Sequence, residues 1–466
     1  LKGKVVRAVP GMLDTDDRPD YEPTPWAVAA PKRVFAAPVA VGTVDQAMLS
    51  HLRVRHAWLR AACLSRHLLV IDEVHASDPY MAAIIEALVR RHLDLGGYVM
   101  AMSATLGESG LARLQARKRL DFDEAVSVPY PAVRTPSTSI PVEQPSSRTT
   151  TFEILGLTEA EERAVQSACD GNCVLMIRST VADAIAAYRR LAAHDVQVLL
   201  HHSRFALVDR TYLDERLQGI LGRGGNRSPV IVVATQTAEQ SLDIDADFLV
   251  TDACPADVLL QRLGRLHRHR EGTTPLTVMI DPGDLGRYLT AKGEPVGHDD
   301  QGWPWVYKNL LSVHETMTWL RKRGQINVPD DSRTLVEQTT HVDYLETVAA
   351  QLGGAWPRLW EQLIGQSTAE RQLGEAALID WNRPYAEALC DDWHATRLGE
   401  GTIDVEVEGT LQSSLTRESV EVLPVPGRWL RDEKDDQRAK VVSSNKLSVG
   451  NVELQYDELG LRKPSR

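Results

Sequence analysis

The chain has 466 residues, 43% of them hydrophobic, and a formal net charge of −12. Such a length holds two to four domains, no apolar run approaches the ~20 residues of a membrane span, and the acidic balance argues against a protein that coats nucleic acid through general basicity. Five cysteines (Cys63, Cys169, Cys173, Cys254 and Cys390) are scattered, and the Cys169/Cys173 spacing lacks a second pair, so reduced thiols in a cytoplasmic protein are expected rather than zinc.

From the start of the chain, the first chemical signal is a local basic track: Arg53, Arg55, Arg60 and Arg66 lie between His51 and His67. Leu68-Leu69-Val70-Ile71 follows as a short apolar run and predicts a parallel strand buried on both faces. Asp72-Glu73-Val74-His75 comes directly after it, where open α/β sheets form their binding crevice. Asp72 suits a hard-oxygen ligand for Mg²⁺ and Glu73 a base for water. The plainer alternative is a helix cap, since Asp78-Pro79 opens a helix with Met81, Ile84, Ile85 and Leu88 on one face. That alternative accounts for Asp78 but not for the pair at the strand tip. A second strand, Tyr98 to Met102, runs into Ser103-Ala104-Thr105, whose hydroxyls could couple this site to a neighbouring lobe or simply form a turn or cap. Residues 128–150 are rich in Pro, Ser and Thr and read as a linker.

A second alternation of strand and helix follows. Strands are expected at Val174–Ile177, Val196–Leu200, Val230–Val233, Phe248–Val250 and Leu276–Ile280, with helical spacing between them, as in Leu213, Leu217 and Leu221. The polar stretch from Thr235 to Asp245 gathers at the end of the third of these strands. In Gln261-Arg262-Leu263-Gly264-Arg265-Leu266-His267-Arg268, helical spacing puts Gln261, Arg265 and Arg268 on one face and Leu259, Leu263 and Leu266 on the other. Guanidinium forks match phosphate oxygens; a solvated basic face is the alternative. Gly264 costs ~1 kcal/mol in a helix interior relative to alanine, which suggests close approach to another surface. With the acidic pair, these arginines suggest a nucleotide site split between two lobes. Residues 282–305 are Gly/Pro-rich. Helical patterns run from Val306 to Trp393 with a break near Pro329, strand-like alternation occupies Thr402–Val407 and Ser419–Val425, and Arg431–Lys440 reads as a solvated loop. The tryptophans, concentrated after Trp303, suit packing. The expected class is α/β, with two parallel-sheet lobes and then a mostly helical accessory region with some strands. The expected divisions are 1–130, a linker at 131–150, 151–285, 286–400 and 401–466.

As an ordered set these motifs resemble those of superfamily 2 helicases. Val41-Gly42-Thr43-Val44-Asp45-Gln46-Ala47, His56-Ala57-Trp58-Leu59-Arg60, the Asp72-Glu73-Val74-His75 box and Leu200-His201-His202-Ser203-Arg204-Phe205 narrow the resemblance to the CRISPR-associated helicase–nuclease family of type I interference, over about residues 38–285. The resemblance implies two RecA-like lobes and an ATP-dependent motor on single-stranded DNA. Asp72 would hold the Mg²⁺ of MgATP and Glu73 would position the water. Gln261, Arg265 and Arg268 would face the phosphates. His75, Ser103, Thr105, Gln240 and Asp243 would couple the motifs, and Gly42, Thr43, Ser179, Thr180, Ser203, Arg204 and Thr235 would line the strand. The implied partners are single-stranded DNA and a guide-RNA effector complex, without a membrane.

Two departures matter. The sequence has no Gly-x-x-x-x-Gly-Lys-[Ser/Thr] loop, so the first lobe is expected to lack its first part and the chain alone to hydrolyse little ATP. The paired His-Asp residues of the family's nuclease are not evident: His194-Asp195 sits at a helix-to-strand junction and His298-Asp299 in a Gly/Pro loop. A separate nuclease subunit or domain is therefore implied. A non-catalytic binding remnant and a superfamily 2 RNA helicase are the alternatives.

Overall fold

The computed structural model describes residues 31–65, 67–143, 147–239, 242–269, 274–296, 306–383, 401–431 and 438–464. They group into two compact units, one of residues 1–119 and 362–399, the other of 120–361 and 400–466. This grouping differs from five consecutive segments, because residues 362–383 join the first unit and the C-terminal strands join the second.

The first unit carries α1 (Val44–Met48), α2 (Ala57–Leu64), β1 (Leu68–Ile71), α3 (Pro79–Asp94), β2 (Tyr98–Ala101) and α4 (Glu108–Leu114). β1 and β2 pair in parallel, Leu68 opposite Tyr98 and Ile71 opposite Ala101. Helix α3 starts as its sequence predicts: Asp78 accepts the Met81 N–H at 2.8 Å, and Pro79 occupies the first helical position. Its Met81, Ile84, Ile85 and Leu88 pack into one core with Leu69, Ile71, Met48 and Leu52. The expectation of burial on both faces of β1 is corrected. Leu69 and Ile71 point inward, but Leu68 and Val70 are 59% and 48% exposed, and Tyr98 and Met100 share that open face. Helices cover the sheet on one side only among the described residues. Residues 362–383 close the unit: Arg371 forks onto Glu86 of α3 at 3.0 and 2.6 Å, and a Cβ on Gly374 would lie 2.6 Å from the Tyr80 carbonyl.

The second unit opens with α5 (Phe122–Ser127) and an exposed hairpin, β3 (Ala132–Arg134) with β4 (Ser139–Pro141), inside the stretch expected to be plain linker. Then come β5 (Arg148–Leu155), α6 (Leu157–Cys169), β6 (Cys173–Ile177), α7 (Val181–Leu191), β7 (Val198–His201), α8 (Leu207–Leu221), β8 (Val230–Ala234), β9 (Phe248–Asp252), α9 (Ala256–Leu263) and β10 (Leu276–Ile280). They are followed by α10 (Leu310–Arg323), β11 (Gln325–Val328), α11 (Ser332–Thr340), α12 (Val342–Leu352) and α13 (Trp356–Ala377), whose residues from 362 onward belong to the first unit. The sheet runs β11-β5-β10-β9-β6-β8-β7 and is parallel except where β11 meets β5. β6, β8 and β9 are buried at every position, as the unbroken apolar runs of β6 and β8 require. The C-terminal β12 (Thr402–Glu408), β13 (Val422–Pro426), β14 (Arg438–Ser443), β15 (Lys446–Val449), β16 (Val452–Asp457) and β17 (Gly460–Arg462) form a second sheet in the order β13-β12-β14-β15-β16-β17. Its core of Val405, Leu423, Val425, Leu447, Leu454 and Leu461 includes Ala206 from the first residues before α8. The fold is thus α/β with a helical and strand-bearing C-terminal region.

Candidate functional site

In the first unit the strand register brings two motifs side by side. Met102 N–H donates to the Ile71 carbonyl at 2.8 Å and Val74 N–H to the Met102 carbonyl at 3.2 Å, so Asp72-Glu73 and Ser103 leave adjacent strand ends together. His75 joins them: its Nδ1 lies 2.7 Å from Ser103 Oγ and 3.2 Å from Glu73 Oε2. Glu73 is exposed and sits at φ 51°, a left-handed conformation that glutamate rarely adopts. Asp72 is exposed and accepts the Glu73 N–H at 2.9 Å. Ser103 Oγ also accepts the Thr105 N–H at 3.2 Å, so the hydroxyl turn and the contact to His75 coexist. Thr105 is buried, and Gly42 and Thr43 are exposed just before α1.

In the second unit the arginine motif departs from its helical expectation. Helix α9 ends at Leu263, Gly264 caps it at φ −64°, and Leu266 bridges to Ala246 while His267 turns to φ 50°. Gln261 therefore lies on the helix and Arg265 and Arg268 beyond it, not on one helical face. The close approach inferred for Gly264 is absent as well, since a Cβ there would meet only its own helix's carbonyls. Arg148 of β5 holds this end: it donates to the carbonyls of Leu263, Leu266 and His267 at 2.9, 2.7 and 3.0 Å, a cation where the helix dipole favours one. Arg265 donates to the carbonyls of Glu239 and Leu242 at 2.8 and 2.7 Å and so braces the preceding motif. Arg268 pairs with Asp243 at 2.9 Å across a half-exposed surface that His269 shares at 3.2 Å. Gln240 lies outside the described residues.

The sequence reading passed over Arg262. It is fully buried and donates to Glu239 at 2.7 Å, Thr251 Oγ1 at 2.5 Å, the Asp252 carbonyl at 3.1 Å and Tyr307 Oη at 2.6 Å. The signal was present: three residues after Leu259, Arg262 falls on the inward leucine side. Asp252 was also missed. It receives Arg178 Nε at 3.0 Å and the Ser179 N–H at 2.7 Å, which fixes the turn after β6.

The residues expected along a strand divide into exposed and buried groups. Ser203 is exposed, like Gly42 and Thr43. Ser179, Thr180 and Thr235 are buried, and the Thr180 hydroxyl is used as the cap of α7, accepting the Asp183 N–H at 3.0 Å. Arg204 is only 9% exposed, and its guanidinium lies 4.7 Å over the Trp429 ring. Burial, with Arg428 nearby, pushes its pKa down to about 10. The surrounding segment is held by the C-terminal sheet. Leu461 N–H donates to the Arg204 carbonyl at 2.9 Å, His202 Nε2 meets the Leu459 carbonyl at 3.1 Å, and Tyr456 Oη accepts the Ala206 N–H at 2.9 Å. Asp209, fully buried, accepts from the hydroxyls of Ser413 and Tyr456. His201 bridges Thr237 Oγ1 at 2.8 Å and Asp214 at 2.7 Å. His194-Asp195 lies in the turn after α7, and His298-Asp299 lies outside the described residues. Among the described residues no group of three or more His, Cys, Asp or Glu side chains could hold a metal ion, and no helix is long and apolar enough to cross a membrane.

Comparison with known proteins shows the family and the fold. Residues 170–271 match the family described as CRISPR-associated nuclease/helicase Cas3, C-terminal. The chain is 35% identical over 446 residues to the CRISPR-associated endonuclease/helicase Cas3 of Escherichia coli K12, covering 91% of this chain and 48% of that protein. It is 31% identical to the Cas3 of Thermus thermophilus, covering 72% and 41%. The crystal structure of T. fusca Cas3 superposes with a TM-score of 0.73 at 25% identity, over 93% of this chain and 57% of that one. The chain therefore spans about half the length of these relatives, and it belongs to the Cas3 family of CRISPR-associated nuclease/helicases.

Proposed function

We propose that this chain is the motor portion of an ATP-dependent helicase that translocates on single-stranded DNA and unwinds target DNA in type I CRISPR interference, an antiviral defence. The observation that carries this reading is the joining of Glu73 and Ser103 through His75 at adjacent strand ends. That contact would let the residue that handles water sense the motif beside it. Asp72 fits a magnesium ligand: its carboxylate is exposed at a strand end, and this ion is commonly held by one or two carboxylates plus substrate phosphates. Magnesium-bound ATP supplies the phosphoryl group whose transfer to water powers movement. Glu73 orients that water and takes its proton. Gln261, Arg265 and Arg268 serve the phosphates. Arg268 is the freer of the two arginines, because its partner Asp243 is half exposed, whereas Arg265 already braces two carbonyls. Thr105, Gln240 and Asp243 couple the motifs.

For the strand, exposed Gly42, Thr43 and Ser203 offer contacts to phosphate that ignore base identity. Ser179, Thr180, Arg204 and Thr235 are assigned to shaping the turns beneath it, because they are buried. The sequence carries no Gly-rich phosphate loop with lysine, so turnover needs a segment that supplies one, and the nuclease and the guide-RNA effector complex are assigned to other domains or subunits. The test is strand displacement. Joined to a loop-bearing segment, the chain should release one strand of a tailed DNA duplex only with ATP. Strand binding and ATP hydrolysis without any release would overturn the helicase reading.

A further inference from the structure

One residue of the strand track, Ser203, stands on the turn between β7 and α8, and the C-terminal sheet holds the rest of that turn. Of residues 202–206, Ser203 alone is exposed; His202, Arg204, Phe205 and Ala206 are buried. Arg204 N–H donates to His202 Nδ1 at 3.2 Å, so the ring proton sits on Nε2 and is donated to the Leu459 carbonyl at 3.1 Å. Leu461 N–H donates to the Arg204 carbonyl at 2.9 Å. The Phe205 ring stacks on His202 with centroids 4.5 Å apart, and it shares a core with Leu459.

Tyr456 of β16 completes the grip. Its hydroxyl accepts the Ala206 N–H at 2.9 Å and donates to the buried carboxylate of Asp209, in the first turn of α8. Burial first, then that carboxylate, pushes the Tyr456 hydroxyl up, so it keeps its proton at neutral pH. One buried oxygen thus ties the end of the turn and the start of the helix to β16. The connection from β16 to β17 abuts the same turn: a Cβ on Gly460 would lie 2.6 Å from the His202 ring and 3.1 Å from the Arg204 carbonyl. The backbone on both sides of Ser203 is therefore pinned, and a small hydroxyl held in one orientation loses less freedom when it meets a phosphate.

We propose that Tyr456 is a positioning residue for strand binding: through Ala206 and Asp209 it holds Ser203 where its hydroxyl donates to a phosphate of single-stranded DNA. This rests on the assignment of Ser203 to the strand. Tyr456 is itself only 1% exposed, so its effect passes through the turn.

A labelled oligothymidylate, titrated with the full chain by fluorescence anisotropy at constant salt, tests this as a double-mutant cycle. Ser203→Ala should weaken binding by about tenfold. Tyr456→Phe keeps the ring and loses both hydrogen bonds. It should weaken binding by about threefold or more in the parent and by less than about twofold in Ser203→Ala, where no hydroxyl is left to misplace. Ser413→Ala removes a different hydrogen bond from Asp209; it should lower the melting temperature and leave affinity unchanged, which separates positioning from stability. Gly460→Ala presses on the same turn, should repeat the pattern of Tyr456→Phe, and decides the matter if that variant fails to fold. Equal weakening by Tyr456→Phe with and without the Ser203 hydroxyl, unchanged affinity in Tyr456→Phe, or an equal loss of affinity in Ser413→Ala would overturn the proposal and leave Ser203 as a strand contact. No binding by the parent, or unchanged affinity in Ser203→Ala, would instead overturn the strand assignment and the proposal with it.

Discussion

Replacing Arg262 separates the architecture of the arginine motif from its chemistry. Arg262→Ala removes a side chain that is fully buried and takes its four hydrogen bonds with it. Glu239, only 5% exposed, would keep its charge with no counter-ion. Removing one partner of such a pair costs ~3–5 kcal/mol, a large part of the ~5–15 kcal/mol that holds a typical domain together. Arg268→Ala differs. Its pair with Asp243 has 42% and 54% of the two side chains exposed, and screened pairs of that kind contribute ~0–1 kcal/mol. Urea denaturation followed by circular dichroism should show a large fall in midpoint for Arg262→Ala and almost none for Arg268→Ala, with similar slopes. The double variant Arg262→Met/Glu239→Gln should recover part of the loss, because no uncompensated charge remains. A loss below ~1 kcal/mol for Arg262→Ala, within the range of ordinary surface substitutions, would refute the reasoning, as would an equal loss for Arg268→Ala.

Three further outcomes are expected. Gly460→Ala should lower the urea midpoint by the equivalent of more than ~1 kcal/mol, since Gly460 sits at φ 74° and a Cβ would lie 2.6 Å from the His202 ring; an unchanged midpoint would contradict the packing. His202, pushed down to about 3 by burial first and then by Arg204, takes a proton more readily when unfolded. Its contribution is whole above pH ~6.5 and is lost toward pH 3, with a slope of up to ~1.4 kcal/mol per unit. Between pH 7 and 5 the midpoint should therefore fall less in His202→Gln than in the parent, and an equal fall would count against a neutral buried His202. Arg204→Ala should lower the melting temperature by losing its stacking on Trp429, and it should leave the salt dependence of single-strand binding unchanged. A slope smaller by about one would instead make Arg204 a phosphate contact.

The central sheet of the second unit was legible because β6 and β8 are unbroken apolar runs and β9 opens on one. The acidic pair was legible because it stands at the end of such a run. Burial on both faces of β1 was misread from the same kind of signal, since four apolar residues in a row do not say whether one layer covers them or two. The end of α9 was hidden because the helical spacing of leucines continues to Leu266, while the chain turns there through Arg148 and the bridge to Ala246. Short, half-polar strands such as Arg438–Ser443 offer little pattern. The contacts that bury Arg204 and Asp209 join residues more than two hundred positions apart, and no local spacing reveals them.

The measurement that bears most directly on the motor is ATP binding and ATP hydrolysis by Glu73→Gln, compared with the parent, in the loop-bearing form with saturating single-stranded DNA. Glutamine keeps the shape at φ 51° but cannot take a proton from water. ATP should bind with unchanged affinity while DNA-stimulated hydrolysis falls by ~10² to 10⁴-fold. Near-parental turnover by Glu73→Gln would contradict the account.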